Sequence, residues 1–270
     1  MKASGIPSER RANTMSLEVR NLQISLAGGQ RVAQDISFRI KKGEMLAVVG
    51  SSGAGKTTLC KAVMGLLGAG YKTEGVIDYG GENLLTLPGK RLAQIYGKDI
   101  CYIMQNPMTA FNPSLRMGRQ LEKTFLQHHP QGSRAEVFPR AAPILRRLGI
   151  EDTKRVWKSY PFALSGGMLQ RMMIVAALMN DPRLLIADEV TTAIDACNRM
   201  ELMKELRLLC HEGMSVLFVT HDLRSAACSD RILIMNQGRT IESGPTEQIF
   251  NNPQEDYTKH LLLACQLERR

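Results

Sequence analysis

Apolar and polar side chains alternate over residues 17–24 and again over 36–40, the period-two pattern of strands with one buried face. Gly28 and Gly29 between them mark a turn. Residues 75–81 extend the same antiparallel β layer. A second kind of segment is apolar throughout: 45–49, 100–104, 184–187 and 215–219. Such runs predict strands buried on both faces, and their alternation with helical stretches implies a parallel sheet. Between Gly118 and Gly149 the period becomes helical, at 119–126 and 141–148, with a polar break holding Gly and Pro at 128–133. This reads as a helical subdomain, about 107–180, inserted into an α/β core. Residues 232–241 predict a hairpin turning at Asn236-Gln237-Gly238, and the tail from Pro253 reads as helical through Leu263. There is no internal repeat. The expected division is a disordered lead over 1–16, a main domain over 17–250 and a C-terminal tail over 251–270.

Bulk properties narrow the class. At 270 residues and 44% hydrophobic content, the chain suits one large α/β domain with an insertion. No run approaches the ~20 apolar residues needed to cross a bilayer. The first residues lack the apolar centre of a secretory signal, which points to a cytoplasmic location. A net charge of +9 would suit an anionic partner, but the basic residues are dispersed and no nucleic-acid-binding motif accompanies them, so no nucleic-acid partner is expected. The six cysteines are scattered without paired spacing and read as reduced packing residues.

Candidate chemistry starts at Gly50-Ser51-Ser52-Gly53-Ala54-Gly55-Lys56-Thr57, which fits the phosphate-loop pattern G-x-x-x-x-G-K-[ST]. It follows an apolar strand and runs, through Thr58, into a helical stretch, the context that the motif requires. The glycines let backbone N–H groups turn inward on phosphate oxygens, and the helix N-terminus adds its positive dipole end. Lys56 would reach the β- and γ-phosphates, and the Thr57 hydroxyl would ligate Mg²⁺. Residues 184–189 form an apolar strand ending in two acids. That strand is expected beside the one preceding the phosphate loop, so that Asp188 can hold Mg²⁺ opposite Thr57, while Glu189 can polarise an attacking water as general base. Gln105 ends its own strand and could contact Mg²⁺ or the water; His221 could hydrogen-bond the γ-phosphate. Leu164-Ser165-Gly166-Gly167-Met168-Leu169-Gln170 can form a serine-capped helix start, a second anion-binding end. The methionines at 168, 172, 173 and 179 are spaced for core packing rather than for metal.

In order along residues 17–244, the phosphate loop, Gln105, LSGGMLQ, LLIADE, Asp195 and His221 closely resemble the ATP-binding-cassette family. The resemblance implies a phosphate-loop ABC-type nucleotide-binding domain of α/β class, with an antiparallel β subdomain and an inserted helical subdomain. It implies ATP and Mg²⁺ as cofactors. It also implies a head-to-tail dimer with a second, identical or paralogous ATPase. Ser165, Gly166, Gly167 and Gln170 would then contact ATP bound to the partner, and Asp195 would communicate across the interface. Glu189 becomes the catalytic base, His221 the γ-phosphate sensor, and Gln105 the link to the helical subdomain. Integral-membrane permease subunits and, indirectly, a solute-binding protein are the implied partners, at the cytoplasmic face of the bacterial inner membrane.

Residues 104–113, Tyr160-Pro161-Phe162 before LSGGMLQRMMI, and the Asn251-Asn252-Pro253 tail are similar to importers of peptides, nickel and metal chelates. Residues 166–173 are most like nickel-import ATPases, and the tail, with Cys265 alone, favours the metal branch over the peptide branch. A soluble cassette ATPase is the alternative outside transport. Two departures stand out. Val190 occupies the place where the family usually has proline, which predicts a looser turn. Residues 26–32 carry no aromatic ring for adenine, leaving Arg31 or Val32 to pack against it.

Overall fold

The computed structural model describes residues 15–191 and 196–267. The first part of the chain runs β1 (Met15–Leu26), β2 (Arg31–Lys41), β3 (Met45–Val49), α1 (Lys56–Val63), β4 (Tyr71–Tyr79), β5 (Glu82–Asn83), α2 (Gly89–Ile95) and β6 (Ile100–Ile103). A helical stretch follows, with α3 (Met117–His128), α4 (Arg134–Arg147), α5 (Thr153–Lys158) and α6 (Gly166–Leu178). The chain then returns through β7 (Leu184–Asp188), α7 (Ala196–His211), β8 (Ser215–Thr220), α8 (Leu223–Ala226), β9 (Arg231–Asn236), β10 (Arg239–Pro245), α9 (Thr246–Asn251) and α10 (Asp256–Leu267).

Two sheets result. The antiparallel sheet has the order β2-β1-β4-β5, and the larger one β10-β9-β3-β8-β7-β6, parallel except for the β9–β10 hairpin. Every residue of β3, β7 and β8 is buried, as apolar runs covered on both faces must be. One apolar cluster lies between the two sheets and includes Leu17, Ile36, Leu46, Leu59 and Leu217. Another joins the opposite face of the large sheet to α3, α4 and α6 through Phe218, Met172, Leu121 and Leu145. Met172, Met173 and Met179 are buried in that second cluster, so their spacing served packing. The hairpin turns at Gln237 and Gly238, both with positive φ, the geometry of a two-residue turn matched to strand twist.

Three expectations change. β1 starts at Met15, where Met15 pairs with Lys41 and Leu17 with Ile40, so the ladder reaches into the expected disordered lead; residues 1–14 lie outside the described residues. β7 is not beside β3, because β8 runs between them and pairs with both. All three strands are buried along their whole length, so burial alone leaves their order open, and the ladders of β8 with β3 on one side and β7 on the other set it. The helical pattern expected at 141–148 begins seven residues earlier, and α4 continues through Pro139 and Pro143. Each proline removes one backbone donor, while Val137, Ala141, Ala142 and Leu145 bury the inner face and hold the helix together.

The start of β3 is tied to β9 by one carboxylate. Asp230 Oδ2 accepts from Met45 N at 2.8 Å and from Arg207 Nη1 at 2.6 Å, while Asp230 N donates to Met45 O at 2.9 Å. Burial raises the Asp230 pKa, but the Arg207 guanidinium and the Met45 N–H outweigh it and hold the carboxyl below its usual value. Its contribution is therefore complete above the ordinary carboxylate pKa of about 4 and is lost as pH falls through the lower folded value. Asp230→Ala is expected to cost about 1–2 kcal/mol in urea unfolding at pH 7, given its partial exposure, with the deficit shrinking in acid.

Candidate nucleotide site

The loop after β3 wraps around its own lysine. Gly53 and Gly55 take positive φ, at 81° and 97°. A Cβ on Gly50 would sit 2.2 Å from Met235 O, so only glycine lets the loop lie this close to β9. Gly238 N, at the tip of the β9–β10 hairpin, donates to Ala54 O at 3.0 Å. No side chain caps α1, which leaves its first N–H groups directed at the loop's concave side. Lys56 is 4% exposed, and its Nζ donates to Gly50 O at 2.8 Å and Ser51 O at 3.0 Å.

Carboxylates approach from the ends of other strands. Thr57 Oγ1 donates to Asp188 Oδ1 at 3.2 Å, although β8 separates their strands. Asp188 is fully buried, which raises its pKa, against the opposing donors Tyr102 and Thr57. Tyr102 Oη donates to Asp188 Oδ2 at 2.9 Å. Glu189 stands in the left-handed region at φ 50°, an uncommon conformation for glutamate and one concentrated at functional sites. Its Oε2 accepts from Gln105 Nε2 at 2.6 Å, and its Oε1 lies 3.5 Å from His221 Nδ1 and 3.8 Å from Lys56 Nζ. Val190 is buried and Glu189 N donates to Val219 O at 2.9 Å, so packing and the sheet hold the turn without proline.

Ser51, Ser52, Gly53, Gly55, Lys56, Thr57, Thr58, Gln105, Glu189 and His221 line one cleft of about 700 Å³. Val32, and not Arg31, lines it too and supplies the apolar surface. Oxygen donors from Thr57, Asp188 and Gln105 are a hard set that fits Mg²⁺, and a glycine-rich loop with a helix start around a buried lysine fits a polyphosphate. Ser165 caps α6 by accepting from Met168 N at 3.3 Å, as its sequence predicts. That helix start, with Gly166 and Gly167, does not line the cleft.

Gln170 departs from expectation. It is fully buried, on the α6 face shared with Met173 and Ile174, and neither amide atom finds a hydrogen-bond partner among the described residues. In this conformation it is not presented to a partner subunit. Asp195 lies outside the described residues. Tyr102 was not anticipated from sequence; the available signal is a phenol next to the strand-end Ile103, among apolar neighbours.

Comparison with known proteins agrees with this geometry. The family model described as ABC transporter matches residues 33–192, more than half of the chain. The chain belongs to the ABC transporter family. It is 38% identical to the dipeptide transport ATP-binding protein DppD of Lactococcus lactis, over 91% of this chain and 72% of that one. It is 37% identical to the metal-staphylopine import system ATP-binding protein CntD of Staphylococcus aureus, over 86% of each. The peptidoglycan transport ATP-binding protein YejF of Agrobacterium fabrum is 40% identical, but the chain spans only 46% of its length. Among solved structures, a dimeric ATP-binding cassette in a post-hydrolysis state, bound to ADP and Pi, superposes with TM-score 0.76 at 26% identity, covering 85% of this chain and 98% of that one. As a cassette ATPase, the chain uses ATP and Mg²⁺.

Tyr102→Phe should leave the fold intact while weakening Mg²⁺ support of nucleotide binding by about fivefold, because Asp188 loses one of its two side-chain donors. Titration of Mg²⁺ against a fluorescent ATP analogue reads this directly.

Proposed function

We propose that this chain is the ATP-hydrolysing subunit of an importer for metal chelates, nickel among them, working on the cytoplasmic face of a cell membrane beneath permease subunits. The observation that carries the ATPase part is the convergence of Lys56, Thr57, Gln105, Glu189 and His221 on one cleft, with Asp188 hydrogen-bonded to Thr57 behind it. Lys56 binds the terminal phosphates. Glu189 accepts a proton from the attacking water, held in place by Gln105. His221 donates a hydrogen bond at the γ-phosphate. Bound Mg²⁺, held by Thr57 and Asp188 with Gln105, would neutralise phosphate charge. Ser165 and Gly167 act on ATP held by a second cassette, so closure of the dimer completes the site and binding energy favours the closed state. Asp195 is assigned to communication across that interface.

The metal reading draws on the likeness of residues 166–173 to nickel importers and on the CntD relative. The DppD relative supports a second reading, peptide import, equally well by identity. No helix among the described residues is long and apolar enough to cross a membrane, so cargo would pass through the permease.

Glu189→Gln should keep ATP affinity and lose at least about a hundredfold in turnover, since only the base is removed; a rate within twofold of wild type would refute the role. Lys56→Ala should abolish ATP binding itself in equilibrium dialysis. Ser165→Arg should bind ATP as a monomer yet fail to form the ATP-dependent dimer by light scattering. For the cargo, nickel uptake should vanish on deletion of the gene and return with wild type but not with Glu189→Gln. Unchanged nickel uptake together with lost dipeptide uptake would select the peptide reading.

A further inference from the structure

The phosphate loop is touched by a residue 206 positions away in sequence. Tyr257, in the first turn of α10, donates its phenol proton to Ser51 Oγ at 3.4 Å. It lies beyond residues 33–192, which the family model matches. The loop has few other lateral supports. Met235 O backs Gly50, and Gly238 N holds Ala54 O. Both come from the β9–β10 hairpin, so the hairpin and α10 embrace the loop together.

α10 is held at a fixed distance from that hairpin. Glu242, in β10, accepts from Gln254 N at 2.9 Å through Oε1 and from Glu255 N at 3.2 Å through Oε2. These N–H groups precede the helix, and a carboxylate there also favours the positive helix end. Tyr257 is half-buried against the apolar cluster that includes Ile232 and Ile249. The phenol therefore reaches Ser51 from a helix start tied to the hairpin.

Ser51 is the residue through which such a contact would matter. Its carbonyl oxygen accepts from Lys56 Nζ at 3.0 Å and from Ala54 N at 3.2 Å. A shift of Ser51 thus moves both the turn of the loop and a carbonyl that aims the lysine. We infer that Tyr257 is a positioning residue of the nucleotide site, which fixes Ser51 and through it the loop turn and Lys56. This makes the C-terminal helix part of the machinery that sets nucleotide affinity. It rests on the reading of the cleft as an ATP site.

The test is a double-mutant cycle on the full chain with Tyr257→Phe, Ser51→Ala and the pair, read as ATP affinity and as KM and kcat of ATP hydrolysis. Tyr257→Phe should weaken ATP binding by about fivefold, the size of one lost hydrogen bond, with kcat within about twofold and melting temperature unchanged, and Ser51→Ala should weaken binding to a similar extent. The pair should be no weaker than either single, since both remove the same contact. Unchanged affinity in Tyr257→Phe overturns the inference, and so does a pair whose loss is the product of the singles. A fall confined to kcat also overturns it. Glu242→Gln supplies a check that leaves the phenol in place: weaker support of the helix start should produce a shift of the same sign, and none at all would contradict the role of that tie. Failure of the wild-type chain to bind ATP would instead remove the underlying site reading, which keeps the two failures distinct.

Discussion

Parallel pairing is the constraint on which the site depends. β3, β8, β7 and β6 run in one direction, with Val49 opposite Thr220, Asp188 opposite Val219, and Ile103 opposite Ala187. Their C-terminal ends therefore open on a single edge. The phosphate loop, Asp188, Glu189, His221 and Gln105 all follow those ends, so one register brings together groups scattered over 170 residues of sequence. The strands can lie parallel only because both sheet faces are covered, one by the antiparallel layer and one by the helices. The core thus serves the site by fixing where strand ends fall.

Placing charges at that edge is costly without partners, and the structure supplies them. Asp188 is fully buried but receives two hydroxyl donors. Lys56 is nearly as buried and is met by two carbonyl oxygens and, farther off, by Glu189. Buried ions that are each hydrogen-bonded avoid the several kcal/mol that an unpaired charge would cost. The same arrangement keeps the lysine and the carboxylates close without pairing them so tightly that a polyphosphate could not enter. Glu189 shows the complementary device: its left-handed backbone turns the side chain away from the strand direction and towards Gln105 and His221.

The phosphate loop and the α6 start are both glycine-rich helix N-termini, yet they behave differently. The first is held by β9, the β9–β10 turn and α10, and lies within a lined cleft. The second is capped only by its own serine, with that serine exposed on the helical side of the molecule. The two helix starts are thus separate features of one chain, and the superposed solved cassette is a dimer.

Much of this was legible along the chain because the physics is local. A period of two or a wholly apolar run announces a strand, glycine spacing announces a loop that must turn inward, and a serine three residues before Met168 announces a cap. Those features located β1 to β4, the phosphate loop, the paired acids, the β9–β10 turn and the start of α6. Sheet order was not local. Nothing in the apolar runs 184–187 and 215–219 said which would neighbour β3, since both are buried along their whole length and only the tertiary pairing set β8 between β3 and β7. Side-chain partners were not local either. Tyr102 on Asp188 and Tyr257 on Ser51 are contacts across 86 and 206 residues, made by phenols whose sequence surroundings are ordinary. Gln170 was misread for the same reason: its motif is a property of the sequence, but which face of α6 turns inward is settled by the neighbours that cover it. The chain alone therefore determined the chemistry available, because motifs fix residue types at short spacing. The tertiary structure decided which groups meet, because burial and register act between residues that the sequence keeps apart.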